Sequence, residues 1–148
     1  MAKIIGIAMR KGKRKIMQSL QTASIDRASG VENDFRGKPG KRQVTVLSLR
    51  AWNEACEELG KHLDWTTRRS NLLIDDIELE NSVGKILEIG DIKLKITQET
   101  DPCSRMEESE AGLFNALKLH WRGGVCCRVI SGGEVSIGDA VKLSSAEE

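Results

Sequence analysis

Apolar residues fall into many short stretches of strand length, several of them alternating with polar ones, and into only two stretches with helical spacing. The first strand covers residues 3–9 (KIIGIAM), and the run RKGKRK, with Gly12 at its centre, predicts a hairpin turn that returns through residues 17–25. Residues 42–49 (RQVTVLSL) alternate as a strand, and apolar residues 72–74 follow a polar loop over 68–71. Residues 85–89 and 93–98 form the clearest hairpin, around Gly90-Asp91. Three short closing strands, 125–130, 134–137 and 140–143, are joined by Gly132-Gly133 and Gly138-Asp139. In RAWNEACEELG, Trp52, Cys56 and Leu59 share one helical face and Gly60 supplies the stop. A second helix is predicted from Ser104 to about His120, with Met106, Leu113, Leu117 and Trp121 near one face despite Gly112. Many short strands with few helices predict a mainly β protein, a β-barrel with a few covering α-helices.

At 148 residues the chain suits a single domain, 1–148, long enough to bury a core of its own. Hydrophobic residues at 39% and charged residues at 30% exclude a disordered composition. No apolar run approaches the roughly 20 residues of a membrane span, and the opening apolar stretch precedes its charges, the reverse of a signal peptide. The expectation is a cytoplasmic protein. Four irregularly spaced cysteines, two of them adjacent, do not make a secreted disulfide framework.

A net charge of +1 gives no global pull toward nucleic acid, and aromatic residues at 3% leave few platforms on which bases could stack. The charges are clustered, however. Residues 10–15 (RKGKRK) and 36–42 (RGKPGKR) are basic, and runs near residues 54–58, 75–80 and 107–110 are acidic. Such runs either form solvated faces or, for the basic ones, bind an anion.

Candidate chemistry centres on Cys103 in the string DPCSRMEE. Ser104 and Glu107 fit a capping box, which places Cys103 just before the cap, and the residue on which a staple there would pack is the charged Glu108. A helix N-terminus and Arg105 favour a thiolate, while Glu107, Glu108 and Glu110 oppose it. Cys103 therefore reads better as a metal ligand or sulfur carrier than as an unaided nucleophile. Cys56 sits on an apolar helix face and Cys127 on the core face of its strand with Val125 and Val129, whereas Cys126 is left open. A zinc site lacks its paired ligands, since there is no C-x₂-C and only His62 and His120, far apart. Arg68, Arg69 and Asn71 offer guanidinium forks for phosphate and an amide for a heterocycle edge, or else form a solvated loop. Asp34, in GVENDFRGK, lies in a tightly folded loop between Gly30 and Gly37, within a long segment, 26–41, of the kind that often carries function.

Taken in order, the strings GVENDFRG, GKRQVTVLS, RRSNLL, DPCSRM and WRGGVCCRVISGGEVSIGD resemble the MOSC domain, named for the C-terminal domain of molybdenum cofactor sulfurases, and its small stand-alone bacterial members. The resemblance implies a MOSC-type β-barrel that binds the molybdenum cofactor (molybdopterin), with Cys103 as molybdenum ligand or persulfide carrier. Arg69 and Asn71 match the Arg-x-Asn step that holds the cofactor, and Asp34 the acidic residue of the Gly-x-x-Gly-Asp loop. Arg42 and Arg105 join them on charge and nearness in the chain. Asn33 stands where the family loop usually has Gly, and Asn is the next most tolerant residue for a left-handed backbone. The additional N-terminal barrel domain of the mitochondrial reductases is not expected in this chain.

Three functions follow as expectations. The first is a molybdenum-dependent oxidoreductase that reduces N-hydroxylated bases or related compounds, a small-molecule substrate, with electrons from a partner reductase. The second is a sulfur carrier, a Cys103 persulfide loaded by a cysteine desulfurase, pyridoxal phosphate residing on that partner alone. The third is an RNA-binding β-barrel module, although nucleic acid is the weaker partner on composition, and no membrane is expected.

Overall fold

The computed structural model describes residues 2–13, 15–100 and 104–145. Eight strands form one mixed sheet in the order β11-β7-β8-β9-β5-β6-β1-β2, and three form a second in the order β10-β3-β4. The strands are β1 (Ile4–Met9), β2 (Gln18–Leu20), β3 (Thr22–Asp26), β4 (Gly30–Val31), β5 (Val44–Ser48), β6 (Leu72–Ile74), β7 (Ile86–Ile89), β8 (Ile92–Glu99), β9 (Val125–Ser131), β10 (Gly133–Ser136) and β11 (Lys142–Ser144). The helices are α1 (Leu49–Leu59), α2 (Ser104–Ser109) and α3 (Leu113–Lys118).

The mainly β class with a few helices is as the periodicity predicts, but the described strands make an open order in place of a closed barrel. Its two ends come together without full pairing. Lys3 bridges Ala140, Ile4 N–H donates to Asp139 O at 2.9 Å, and Val141 N–H donates to Ala2 O at 2.9 Å. The return arm expected over 17–25 divides at Gln21, so that β2 pairs with β1 while β3 crosses to the second sheet and pairs with β10.

The single helix expected from Ser104 to about His120 is broken. Gly112 takes φ 89°, a left-handed conformation that glycine adopts without a Cβ penalty, and α3 begins after it. Glu107 fastens this junction, its carboxylate accepting from Gly112 N–H at 2.9 Å and Phe114 N–H at 3.4 Å. Glu107 thus reaches forward to the next helix start; the Ser104 side chain, the other half of the expected capping box, lies outside the described residues. In α1 the Ser48 hydroxyl accepts from Ala51 N–H, and Gly60 at φ 65° ends the helix while Lys61 N–H bonds Cys56 O.

Alternation along the strands sorts side chains into two cores. Val44, Val46, Leu72, Ile74 and Cys127 face a core drawn from both sheets. Leu47 and Leu73 point the other way, onto Trp52, Cys56, Leu113 and Leu117 of the helices. The one parallel pair among the described strands, β5 beside β6, requires a crossover, and α1 supplies it. Because β6 must start level with the beginning of β5, the segment 68–71 is delivered to one end of the sheet.

Candidate functional site

Several chain segments meet at that end. β1 finishes there and β6 starts there, since Ile7 pairs with Leu72. β5 and β9 start there, with Thr45 opposite Cys126, and β8 finishes there, with Glu99 opposite Val125. The loop carrying Asp34 and the start of α2 complete a cleft of about 200 Å³, lined by Arg10, Lys13, Asp34, Arg36, Arg42, Thr45, Arg68, Arg69, Asn71, Thr100, Arg105, Met106 and Cys126. An open groove of about 730 Å³ shares Lys13, Arg36 and Arg42 with it and continues past Phe35, Lys38 and Lys41. Asp34, Arg42, Arg69, Asn71 and Arg105, singled out in the sequence, thus come together in one cleft. Cys103 lies outside the described residues.

The lining side chains have different duties. Asn71 is 4% exposed and its amide belongs to the frame: its Oδ1 accepts from Thr45 N–H at 3.0 Å and from the Thr45 hydroxyl at 3.3 Å, and its Nδ2 donates to Ala8 O at 3.1 Å. It ties β5, β6 and β1 at the level of the cleft floor, leaving one amide hydrogen for a ligand. Arg68 is also structural in large part, donating to Gly123 O and Thr100 O, each at 3.1 Å. The Asp34 carboxylate accepts from Arg10 N–H at 3.0 Å and Arg36 N–H at 3.2 Å, which fixes the loop and the end of β1 together. Asn33 beside it takes φ 64°.

Arg69 and Arg10 differ from these. Arg69 takes φ 67° at the end of the 3-10 turn Trp65–Arg68, and its buried Nη1 has no hydrogen-bond partner among the described residues. Arg10 is 8% exposed, its guanidinium donates to no described residue, and the nearest ring is Phe35 at 6.0 Å. Burial holds its pKa below the ordinary arginine value, followed by repulsion from Arg69 and Arg36; Asp34 opposes and Arg105 adds a smaller push in the same direction. Donors without a partner among the described residues, with several positive charges crowded around them, give the cleft the chemistry to accommodate an anion.

Two further cleft residues stand out. Arg10 belongs to the run RKGKRK, which the sequence presents as a hairpin turn and as a basic cluster that either is solvated or binds an anion, without marking Arg10 itself; its place directly after the apolar strand is the available signal. Cys126, left open by strand parity alone, is 1% exposed and lines the cleft, its Sγ 3.1 Å from the Thr100 hydroxyl. Its neighbour Cys127 faces the core, where burial pushes the thiol far above its ordinary pKa. Among the described residues no group of three or more His, Cys, Asp or Glu is placed to hold a metal ion, and no helix is long and apolar enough to cross a membrane.

A mixed sheet with a basic cleft at one end, beside the start of α2, defines a class of small β-rich domains. Within that class the chain belongs to the MOSC domain family, whose sequence profile matches residues 30–142. The fold is shared with the YuaD protein of Bacillus subtilis at TM-score 0.80 and 18% identity, covering 99% of this chain and 98% of that one. It is also similar to YiiM of Geobacillus stearothermophilus (TM-score 0.78, 15% identity, 97% and 75% covered) and YiiM of Escherichia coli (TM-score 0.74, 16% identity, 99% and 71% covered). No curated protein matches the chain by sequence.

Proposed function

We propose that the cleft binds the molybdenum cofactor and that the protein reduces N-hydroxylated compounds. The observation that carries this reading is the orphaned Arg69 Nη1 beside the unbonded Arg10 guanidinium, in a family associated with that cofactor. The residues fit the group in kind. A pterin dithiolene with a terminal phosphate asks for cations, polar edges and a soft sulfur. Arg10 and Arg69 would hold the phosphate, the Thr45 and Thr100 hydroxyls and the remaining Asn71 amide hydrogen would meet polar edges, and Cys103 would supply the sulfur ligand. The inner cleft of about 200 Å³ is below the usual volume for such a ligand, and the adjoining groove supplies the rest.

When bound, the cofactor supplies two-electron oxygen-atom transfer. Reduction of an N–OH group to N–H takes two electrons and two protons and releases water. The electrons come from a partner protein bearing a flavin or an iron–sulfur centre. The chain's own residues hold the substrate against the cationic wall, and Asp34 keeps the loop and β1 in register behind it.

The Cys126 thiol in the same cleft favours a second reading, in which Cys103 carries a persulfide from a cysteine desulfurase. One measurement separates the two: molybdenum content by elemental mass spectrometry, with pterin fluorescence, on wild type and Cys103→Ser purified from a host that makes the cofactor. Near-stoichiometric metal that drops at least several-fold in the variant is expected. Metal-free protein whose Cys103 gains one reducible sulfur after desulfurase treatment would overturn the molybdenum reading in favour of the carrier.

A further inference from the structure

The described lining of the cleft carries more positive charge than one phosphate monoester would neutralise. Among the described residues, seven cationic side chains line it against one carboxylate, that of Asp34. Arg68 is engaged with backbone carbonyls, which leaves Arg10, Arg36, Arg42, Arg69, Arg105 and Lys13 facing the space. A phosphate monoester carries about −1.5 to −2 at neutral pH. Arg10, which is buried, and Arg69, whose Nη1 is buried, answer that charge, and a positive rim remains around the mouth. Arg36 and Arg42 are exposed and make no side-chain hydrogen bond with a described residue. Both also line the open groove, where Lys38 and Lys41 add to them and no acidic residue is among the described lining.

We infer that the site holds two anionic groups at once, one on Arg10 and Arg69 in the floor and one on Arg36 and Arg42 at the rim, so that its substrate is itself an anion. The class is a small N-hydroxylated compound bearing a carboxylate or similar oxyanion. A protonated base would enter against the field of the rim, whereas an anion is concentrated by it; focusing of this kind changes association rates by about tenfold or more and fades as salt screens it. The inference rests on the functional reading above for the reaction, but not for the two anion positions.

The experiment has two arms. Isothermal titration of inorganic phosphate at low salt into the metal-free full-length protein is expected to give two phosphates per chain. Protein loaded with the cofactor is expected to bind one, with that one weakened at least several-fold in Arg36→Gln/Arg42→Gln. In the second arm, turnover is driven by a chemically reduced viologen on an aryl amidoxime and on its ring-carboxylated analogue. The carboxylated compound is expected to show about tenfold higher kcat/KM at low salt, a margin that shrinks as salt rises. A single phosphate on the metal-free protein, none on the loaded protein, or a preference for the neutral amidoxime overturns the inference while leaving cofactor binding intact. Two phosphates on a protein that never acquires molybdenum sustain the anion pair and remove the molybdenum reading instead.

Discussion

Asn71 and Arg69 stand two residues apart, line the same cleft and should respond to substitution with opposite signs. Asn71→Ala removes three side-chain hydrogen bonds and strands the Thr45 N–H and the Ala8 carbonyl in the interior. Leaving such groups unpaired costs about 2–4 kcal/mol of stability, to be read by urea denaturation. Arg69→Gly removes a buried guanidinium nitrogen that lacks a partner and relieves a left-handed backbone at φ 67°. It should raise stability by about 1 kcal/mol while lowering affinity for inorganic phosphate. A loss of stability in Arg69→Gly comparable with that of Asn71→Ala would mean that both residues serve only the frame. At this scale the sequence shows which residue types gather, because arginines and an amide in a short polar loop are visible. It does not show which of them are already satisfied, because that depends on backbone groups of β1 and β5 that are distant in the chain.

The loop between β4 and β5 gets its shape from backbone contact. A Cβ on Gly37 would sit 1.8 Å from the Ser29 carbonyl oxygen, and one on Gly30 would sit 2.9 Å from the Gly37 Cα. This close approach turns residues 31–36 back on themselves and presents the Asp34 carboxylate to two N–H groups. Gly37→Ala must therefore open the loop, at a cost of roughly 3 kcal/mol, and phosphate affinity should fall with it because Arg36 moves with the loop. Denaturation and phosphate titration on the same variant check both effects; unchanged affinity would separate the loop from the site. Gly30 and Gly37 are visible as punctuation in the sequence, and so is the hairpin around Gly90, where β7 and β8 pair Ile89 with Ile92. The break at Gly112 and the sheet change at Gln21 are not. Local apolar spacing continues through both positions, and only packing elsewhere decides them: Leu59 Cδ2 lies 2.8 Å from where a Gly112 Cβ would be, and β10 recruits β3.

Across the whole molecule, one topological fact assembles the site. The parallel β5–β6 pair brings the segment 68–71 to the ends of β1 and β8 and the start of β9, so residues from 10 to 126 share one cleft. Short strands and their periods made the mainly β class legible, whereas the open order was not, because strand count alone does not tell whether the two edge regions pair fully. The same β9 that turns Cys126 into the cleft turns Cys127 into the core between the sheets, and this gives the fold a pH signature. Burial raises the Cys127 pKa, with the neighbouring Cys126 contributing in the same direction. In the unfolded chain the thiol ionises at its ordinary value near 8.5. Below that pH both states hold the proton and stability is unaffected. Above it the unfolded state releases the proton and the folded state retains it, so stability falls as pH rises. The limiting slope is about 1.4 kcal/mol per pH unit. Urea denaturation of wild type and Cys127→Ala between about pH 8.5 and 9.5 isolates this contribution, since other groups titrate alike in both. The wild type should lose about 1 kcal/mol more than the variant over that window, and parallel curves would place the Cys127 sulfur in contact with solvent, incompatible with the two-sheet core.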